Sequence, residues 1–157
     1  MTTDMAETRK TRGELLTFYV GEQDFCMDIM LVREIRGWTS VTTLPHAPSD
    51  VLGVMNLRGA IVPIVDLSAR LGLGRCEMRE RNVVIIAMIG EQMVGLLVTA
   101  VYDIMGVSLD EIQPMPKVSC APASDFIGGI ISSKDRTLRV LRTEALCATM
   151  ANLQVVA

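Results

Sequence analysis

The chain has a single histidine, His46, in the proline-rich run LPHAP at residues 44–48. A Ser-His-Asp or Cys-His catalytic arrangement would have to use this residue, and no Gly-x-Ser-x-Gly motif accompanies it. A zinc site needs further Cys or His ligands, and none lies near His46 in the sequence. No phosphate-binding loop and no Gly-x-Gly-x-x-Gly motif is present. The sequence therefore predicts no catalytic residues, no bound metal and no cofactor.

The other potentially reactive side chains have ordinary explanations. Carboxylates cluster at Glu77 and Glu80 and again at Asp110 and Glu111. Arginines alternate with the first pair, which is typical of a solvated charged surface. A catalytic carboxylate pair stays open as an alternative that nothing in the sequence demands. The four cysteines are far apart and form no Cys-x-x-Cys pair, which indicates reduced thiols.

A polar turn inside an apolar frame is the most distinctive feature of the sequence. Asn56, Arg58 and Gly59 lie between the apolar runs at residues 52–55 and 61–65. If these runs are paired strands, the turn presents a guanidinium on a rigid base, ready for a forked contact with a carboxylate. The side chains expected to anchor the turn in the core are Val54, Leu57, Ile61 and Ile64. On spacing alone, a plain hairpin turn with a solvated arginine is the favoured alternative.

Composition argues against several classes of protein. A formal net charge of -3 is unfavourable for nucleic-acid binding, which usually needs a basic face. Aromatic residues make up only 4% of the chain, which leaves few platforms for stacked bases. No apolar run reaches the roughly 18–20 residues needed to span a bilayer, and the polar N-terminus lacks the apolar core of a signal peptide. We expect a cytoplasmic protein with no nucleic-acid partner and no direct membrane insertion.

The pattern of β-prone runs and short polar turns predicts a mainly β fold that contains a duplication. Sliding the sequence by 69 positions aligns the turn GEQ at residues 21–23 with GEQ at residues 90–92. The same offset aligns Val32 with Val101, Glu34 with Asp103 and Ile35 with Ile104. Any two hairpins resemble each other to some degree, which is the alternative explanation. We favour a duplicated unit of about five strands, and hence two small β-barrels.

The predicted organisation follows from this repeat. We expect a flexible tail at residues 1–13, a first barrel at about 14–73, a second barrel at about 82–142, and a C-terminal helix and tail at 143–157. Within the first barrel, residues 30–35 are predicted as one helical turn and residues 38–44 as a strand. Each barrel is too small to bury much core alone, so the two must pack on one another. Their junction leaves a groove, where binding sites tend to lie.

Several of these segments resemble the CheW family, the coupling proteins of bacterial chemotaxis. The most specific match is the block NLRGAIVPIVDL at residues 56–67. Residues 25–29 and 32–38 also match, residues 94–98 and 101–104 in the second half match more weakly, and the resemblance as a whole covers about residues 14–150. It implies a mainly β fold of two five-stranded SH3-like β-barrels packed on one another, with short helices.

The resemblance also implies a function. Proteins of this family are non-catalytic scaffolds that link the cytoplasmic tips of chemoreceptors (methyl-accepting chemotaxis proteins) to the histidine kinase CheA. The regulatory domain of the kinase has the same fold and packs against them, and the helical hairpin of the receptor tip docks near the groove between the barrels. The matching positions expected to bind partners are Val32, Glu34, Ile35, Asn56, Arg58 and Gly59.

Two alternatives stay open. The chain could serve a parallel receptor–kinase pathway, such as pilus motility or surface sensing. Arg139 and Arg142 depart from the family pattern and put the usual partner of that surface in doubt. A small-ligand-binding or enzymatic β-barrel is the least favoured interpretation, because the expected groove offers one Arg and one Glu among aliphatic residues.

Overall fold

The computed structural model describes residues 12–77, 79, 81–114, 126–133 and 135–150. Within them the strands are β1 (Arg12–Val20), β2 (Gln23–Asp28), β3 (Val32–Gly37), β4 (Val51–Leu57), β5 (Ala60–Asp66), β6 (Val83–Ile89), β7 (Gln92–Val98), β8 (Ala100–Ser108), β9 (Ile127–Ser133) and β10 (Arg136–Leu141). The helical elements are 3₁₀ helices at Ile29–Leu31 and Leu109–Glu111, and the α-helices α1 (Leu67–Arg70) and α2 (Thr143–Met150). The mainly β class predicted from the sequence is confirmed.

The strands form two five-stranded sheets, with the orders β8-β1-β2-β10-β9 and β3-β6-β7-β5-β4. The predicted division into barrels at residues 14–73 and 82–142 is therefore wrong. Each sheet joins the first hairpin of one half of the chain to three strands of the other half. The crossing occurs at the first 3₁₀ helix, where the Asp28 carboxylate accepts a hydrogen bond from the Met30 amide at 3.0 Å. After this turn β3 pairs with β6, and β8 later crosses back to pair with β1.

The two hairpins that repeat in the sequence occupy equivalent places. The hairpins β1–β2 and β6–β7 each lie second and third in their sheet. Both turns begin with a glycine in the left-handed region, Gly21 at φ 64° and Gly90 at φ 65°. The second strand of each hairpin then pairs in parallel with the fourth strand of its sheet, β2 with β10 and β7 with β5. The duplication is confirmed at the level of topology.

A single β-bridge closes each sheet into a barrel. Thr42, on the segment that follows edge strand β3, exchanges two backbone hydrogen bonds of 2.9 and 2.8 Å with Val54 on the opposite edge strand β4. Gln113 and Ile130 close the other sheet in the same way. Gly53 permits the approach, because a Cβ at that position would lie 2.2 Å from the carbonyl oxygen of Thr42.

Two local predictions differ from the structure near this closure. The segment predicted as a helical turn at residues 30–35 is mostly strand β3, and only Thr42 of the strand predicted at residues 38–44 pairs, as the bridge. Charged side chains on both faces of β3 hide its strand periodicity, because Arg33 is exposed and Glu34 is half-buried. Most of the predicted N-terminal tail, and residues 151–157, lie outside the described residues.

Three clusters of buried apolar side chains hold the fold together. One lies inside each barrel, and the largest combines side chains of both sheets. Strand β1 shows the alternation, since Leu16 and Phe18 face the shared cluster and Leu15 faces its own barrel. The two barrels therefore share one core. None of the helices in the described residues is long and apolar enough to span a membrane.

Candidate partner-binding site

The turn between β4 and β5 is rigid before any partner arrives. Arg58 and Gly59 both adopt left-handed conformations, with φ of 52° and 89°, as a two-residue hairpin turn requires. The Asn56 side-chain oxygen accepts a hydrogen bond from the Gly59 amide at 2.8 Å. Leu57 and Val62 anchor the two strands in the interior of the barrel. The turn therefore projects Arg58 from a fixed base.

Glu34 orients the Arg58 side chain from the opposite edge of the barrel. One carboxylate oxygen accepts from Arg58 Nη2 at 2.8 Å, and the other accepts from Arg36 Nη1 at 3.0 Å. The hydrogen bond from Arg36, followed by that from Arg58, lowers the pKa of Glu34 against an opposing effect of desolvation. The Arg58 side chain remains 75% exposed. We call the group of Glu34, Arg36, Asn56, Arg58 and Gly59 the Arg58 surface.

The charge of this region opposes the charge of the whole protein. Strand β3 and the turn place two guanidinium groups, from Arg36 and Arg58, around the single carboxylate of Glu34. This gives the Arg58 surface a local net charge of +1 in a chain whose formal net charge is -3. A positive patch of this kind attracts carboxylates on a partner.

The structure brings four of the six predicted residues together. Asn56, Arg58 and Gly59 share one turn, and Glu34 reaches that turn through its ion pair. Val32 lies at the start of β3 and packs, half-buried, against the shared core. Ile35 is 44% exposed and points away from Glu34, because side chains alternate along the strand.

Sequence reasoning missed the exposure of Ile61. This residue was expected to anchor the turn, but its side chain is 63% exposed, whereas Val62 and Ile64 are fully buried. Ile61 lies directly opposite Asn56 across the β4–β5 pair, and directly opposed residues point to the same face. The polarity of Asn56 was therefore the signal that could have placed Ile61 on the surface.

The side chains considered for catalysis have other environments. Burial raises the pKa of the Cys26 thiol to about 12, which disfavours the reactive thiolate. Glu77 forms an exposed ion pair with Arg79, and His46 is exposed in the loop before β4. Among the described residues, no group of three or more His, Cys, Asp or Glu side chains is placed to hold a metal ion.

The fold consists of two β-barrels with a shared core, and one barrel carries a preformed turn with an exposed arginine. These features define a two-barrel protein with a surface suited to binding an acidic partner. The family model of the CheW-like domain matches residues 14–150. The chain belongs to the CheW-like family.

Several chemotaxis proteins are similar to this chain along most of their length. The probable chemotaxis protein CheW of Rhizobium etli is 47% identical over 133 residues, covering 85% of this chain and 86% of that protein. The chemotaxis protein CheW of Klebsiella aerogenes is 33% identical over 136 residues, covering 87% and 82%. The crystal structure of the scaffolding protein TtCheW from Thermoanaerobacter tengcongensis is similar with a TM-score of 0.76 and 30% identity, covering 83% of this chain and 84% of that one.

Proposed function

We propose that this chain is a non-catalytic cytoplasmic adaptor that couples the cytoplasmic tips of chemoreceptors to the histidine kinase CheA. Membership of the CheW-like family supports a role in chemotaxis. The observation that carries the proposal is the exposed Arg58 guanidinium, which Glu34 orients on a preformed turn. A cation that is already ordered loses little conformational freedom when a partner binds it.

We assign the receptor contact to the Arg58 surface, together with Val32 and Ile35. The local surplus of positive charge favours an acidic segment of the receptor tip. A receptor carboxylate can bind the guanidinium through the donor groups that Glu34 leaves free, because a guanidinium offers five N–H donors. Asn56 and Gly59 act indirectly, since their hydrogen bond fixes the direction in which Arg58 projects.

The kinase contact should lie elsewhere on the two barrels. An adaptor must hold both partners at once, so the regulatory domain of the kinase cannot occupy the Arg58 surface while the receptor does. The two surfaces should therefore respond separately to mutation.

The absence of catalysis is part of the proposal. His46 follows Pro45 in an exposed loop with no carboxylate partner among its described contacts, and its φ is 60°. We expect that incubation with phosphorylated kinase transfers no phosphate to the chain. Label that remained on the adaptor after the two proteins were separated would contradict this expectation.

Titration calorimetry tests the two binding reactions directly. The full chain is titrated with a receptor-tip fragment from the same organism and, separately, with the regulatory domain of its kinase. We expect both to bind, Arg58→Glu to lose receptor binding, and the same variant to keep kinase binding. Arg75→Glu is a matched control, because it removes an exposed arginine from the segment between α1 and β6. If the wild-type chain bound neither probe, the proposed function would be wrong.

A further inference from the structure

Ile61 is a large apolar side chain that the fold does not use. Ile61 is 63% exposed, although Val62 and Ile64 on the same strand are fully buried. A single exposed apolar residue is common on protein surfaces and needs no explanation by itself. Here its position matters, because Ile61 lies beside Asn56 and two residues beyond the turn that carries Arg58.

The conformation of Ile61 is suited to binding. A β-branched side chain within a strand has few χ1 rotamers available, so little side-chain entropy remains to be lost when a partner covers it. The backbone is fixed as well, because the β4–β5 pairing extends through Asn56 and Ile61 to the turn. Ile61 therefore offers an apolar contact next to an oriented cation.

We propose that Ile61 is the apolar contact of the Arg58 surface, and that the receptor segment docking there presents an apolar side chain next to a carboxylate. The inference rests on the proposed function and names the chemistry of its partner. The carboxylate is expected because two guanidinium groups, those of Arg36 and Arg58, share one acidic side chain, Glu34, at this surface. On a helix, an acidic and an apolar residue three or four positions apart lie on one face, so a single helix of the receptor tip can present both groups.

A pair of isoleucine variants tests this inference on the full chain. Ile61→Ser removes the apolar group, and Ile104→Ser is the matched control, since Ile104 is 50% exposed on edge strand β8 of the other barrel. We expect Ile61→Ser to weaken binding of the receptor-tip fragment about tenfold, which corresponds to about 1.4 kcal/mol. Ile61→Leu should bind almost as the wild type does, and Ile104→Ser should change receptor binding less than about twofold. Kinase-domain binding and the melting temperature should be unchanged for Ile61→Ser.

The outcomes separate this inference from the proposed function. If Ile61→Ser binds the receptor fragment as tightly as the wild type while Arg58→Glu does not, Ile61 is not a contact and the proposed function stands. If Ile61→Ser weakens binding of the kinase domain instead, the assignment of the receptor as the partner that contacts Ile61 is wrong. Equal losses for Ile61→Ser and Ile104→Ser would show a nonspecific effect and also overturn the assignment. Failure of the wild-type chain to bind either probe would refute the proposed function itself.

Discussion

Replacing Arg58 with asparagine should make the protein slightly more stable and at the same time weaken receptor binding. Arg58 has a φ of 52°, and this left-handed conformation costs an ordinary residue about 1–2 kcal/mol. Asparagine tolerates the same conformation better, because its short polar side chain bonds locally. The ion pair that is lost with Glu34 contributes little to stability, since the Arg58 side chain is 75% exposed.

The expected gain in the free energy of unfolding is therefore about 0.5 kcal/mol, which corresponds to a rise in melting temperature of about 1–2 °C for a domain of this size. Binding should weaken by roughly 2 kcal/mol, or about thirtyfold, as is typical for loss of a central interface arginine. Thermal melting and titration with the receptor-tip fragment measure the two effects.

Arg58→Ala separates the effect of losing the guanidinium on receptor binding from the effect of backbone conformation on stability. Alanine removes the guanidinium but keeps a residue that is disfavoured at positive φ. We expect Arg58→Ala to lose receptor binding as Arg58→Asn does, without its gain in melting temperature. A melting temperature several degrees below that of the wild type for Arg58→Asn would mean that the side chain supports the fold. Undiminished receptor binding by both variants would refute the assignment of Arg58 as a contact.

Two further predictions concern the edges of the same barrel. Because the folded state lowers the pKa of Glu34 below its ordinary value of 4.5, its ionised form stabilises the protein above that value, and this contribution is lost as the pH falls through the folded pKa. The melting temperature of the wild type should therefore be slightly higher than that of Glu34→Gln at pH 7. When both proteins are melted at a series of lower pH values, this difference should disappear below about pH 4.5. A difference that stayed constant with pH would contradict a stabilising role of the ion pairs. The free energy of unfolding of Gly53→Ala, measured by chemical denaturation, should be lower by about 3 kcal/mol, because the new Cβ would lie 2.2 Å from the carbonyl oxygen of Thr42. Gly106→Ala is the control and should change the free energy of unfolding little, because a Cβ at Gly106 would have open space. Similar losses for both variants would mean that the backbone at the barrel closure can move to accept the Cβ.

The hairpins were predictable from sequence because their signals are local. Each consists of two β-prone runs around a turn that begins with glycine, at Gly21 and at Gly90. The exchange of strands between the halves was not predictable in this way. Whether β3 pairs within its own half or with β6 depends on which sheet buries more apolar surface, and the strands involved are about fifty residues apart.

The candidate site was predictable only in part. The turn at Arg58 could be found because Asn56 and Gly59 mark it in sequence, and the family resemblance added Glu34. The contact between Glu34 and Arg58 depends on closure of the barrel, which brings the edge strand β3 to the turn after β4. Ile61 was predicted to lie in the core because it is apolar. The prediction was wrong because the strand register pairs Ile61 with Asn56, on the outer face of the barrel.

Co-sedimentation of the kinase with receptor tips tests the central claim most directly. Receptor-tip fragments are displayed on beads, and CheA is added with no adaptor, with the wild-type chain, or with Arg58→Asn. The account predicts that CheA is retained on the beads in greater amount with the wild-type chain than with no adaptor or with Arg58→Asn, although this variant still binds the isolated regulatory domain. Equal retention of the kinase in all three samples would contradict the proposal that this chain couples receptor to kinase.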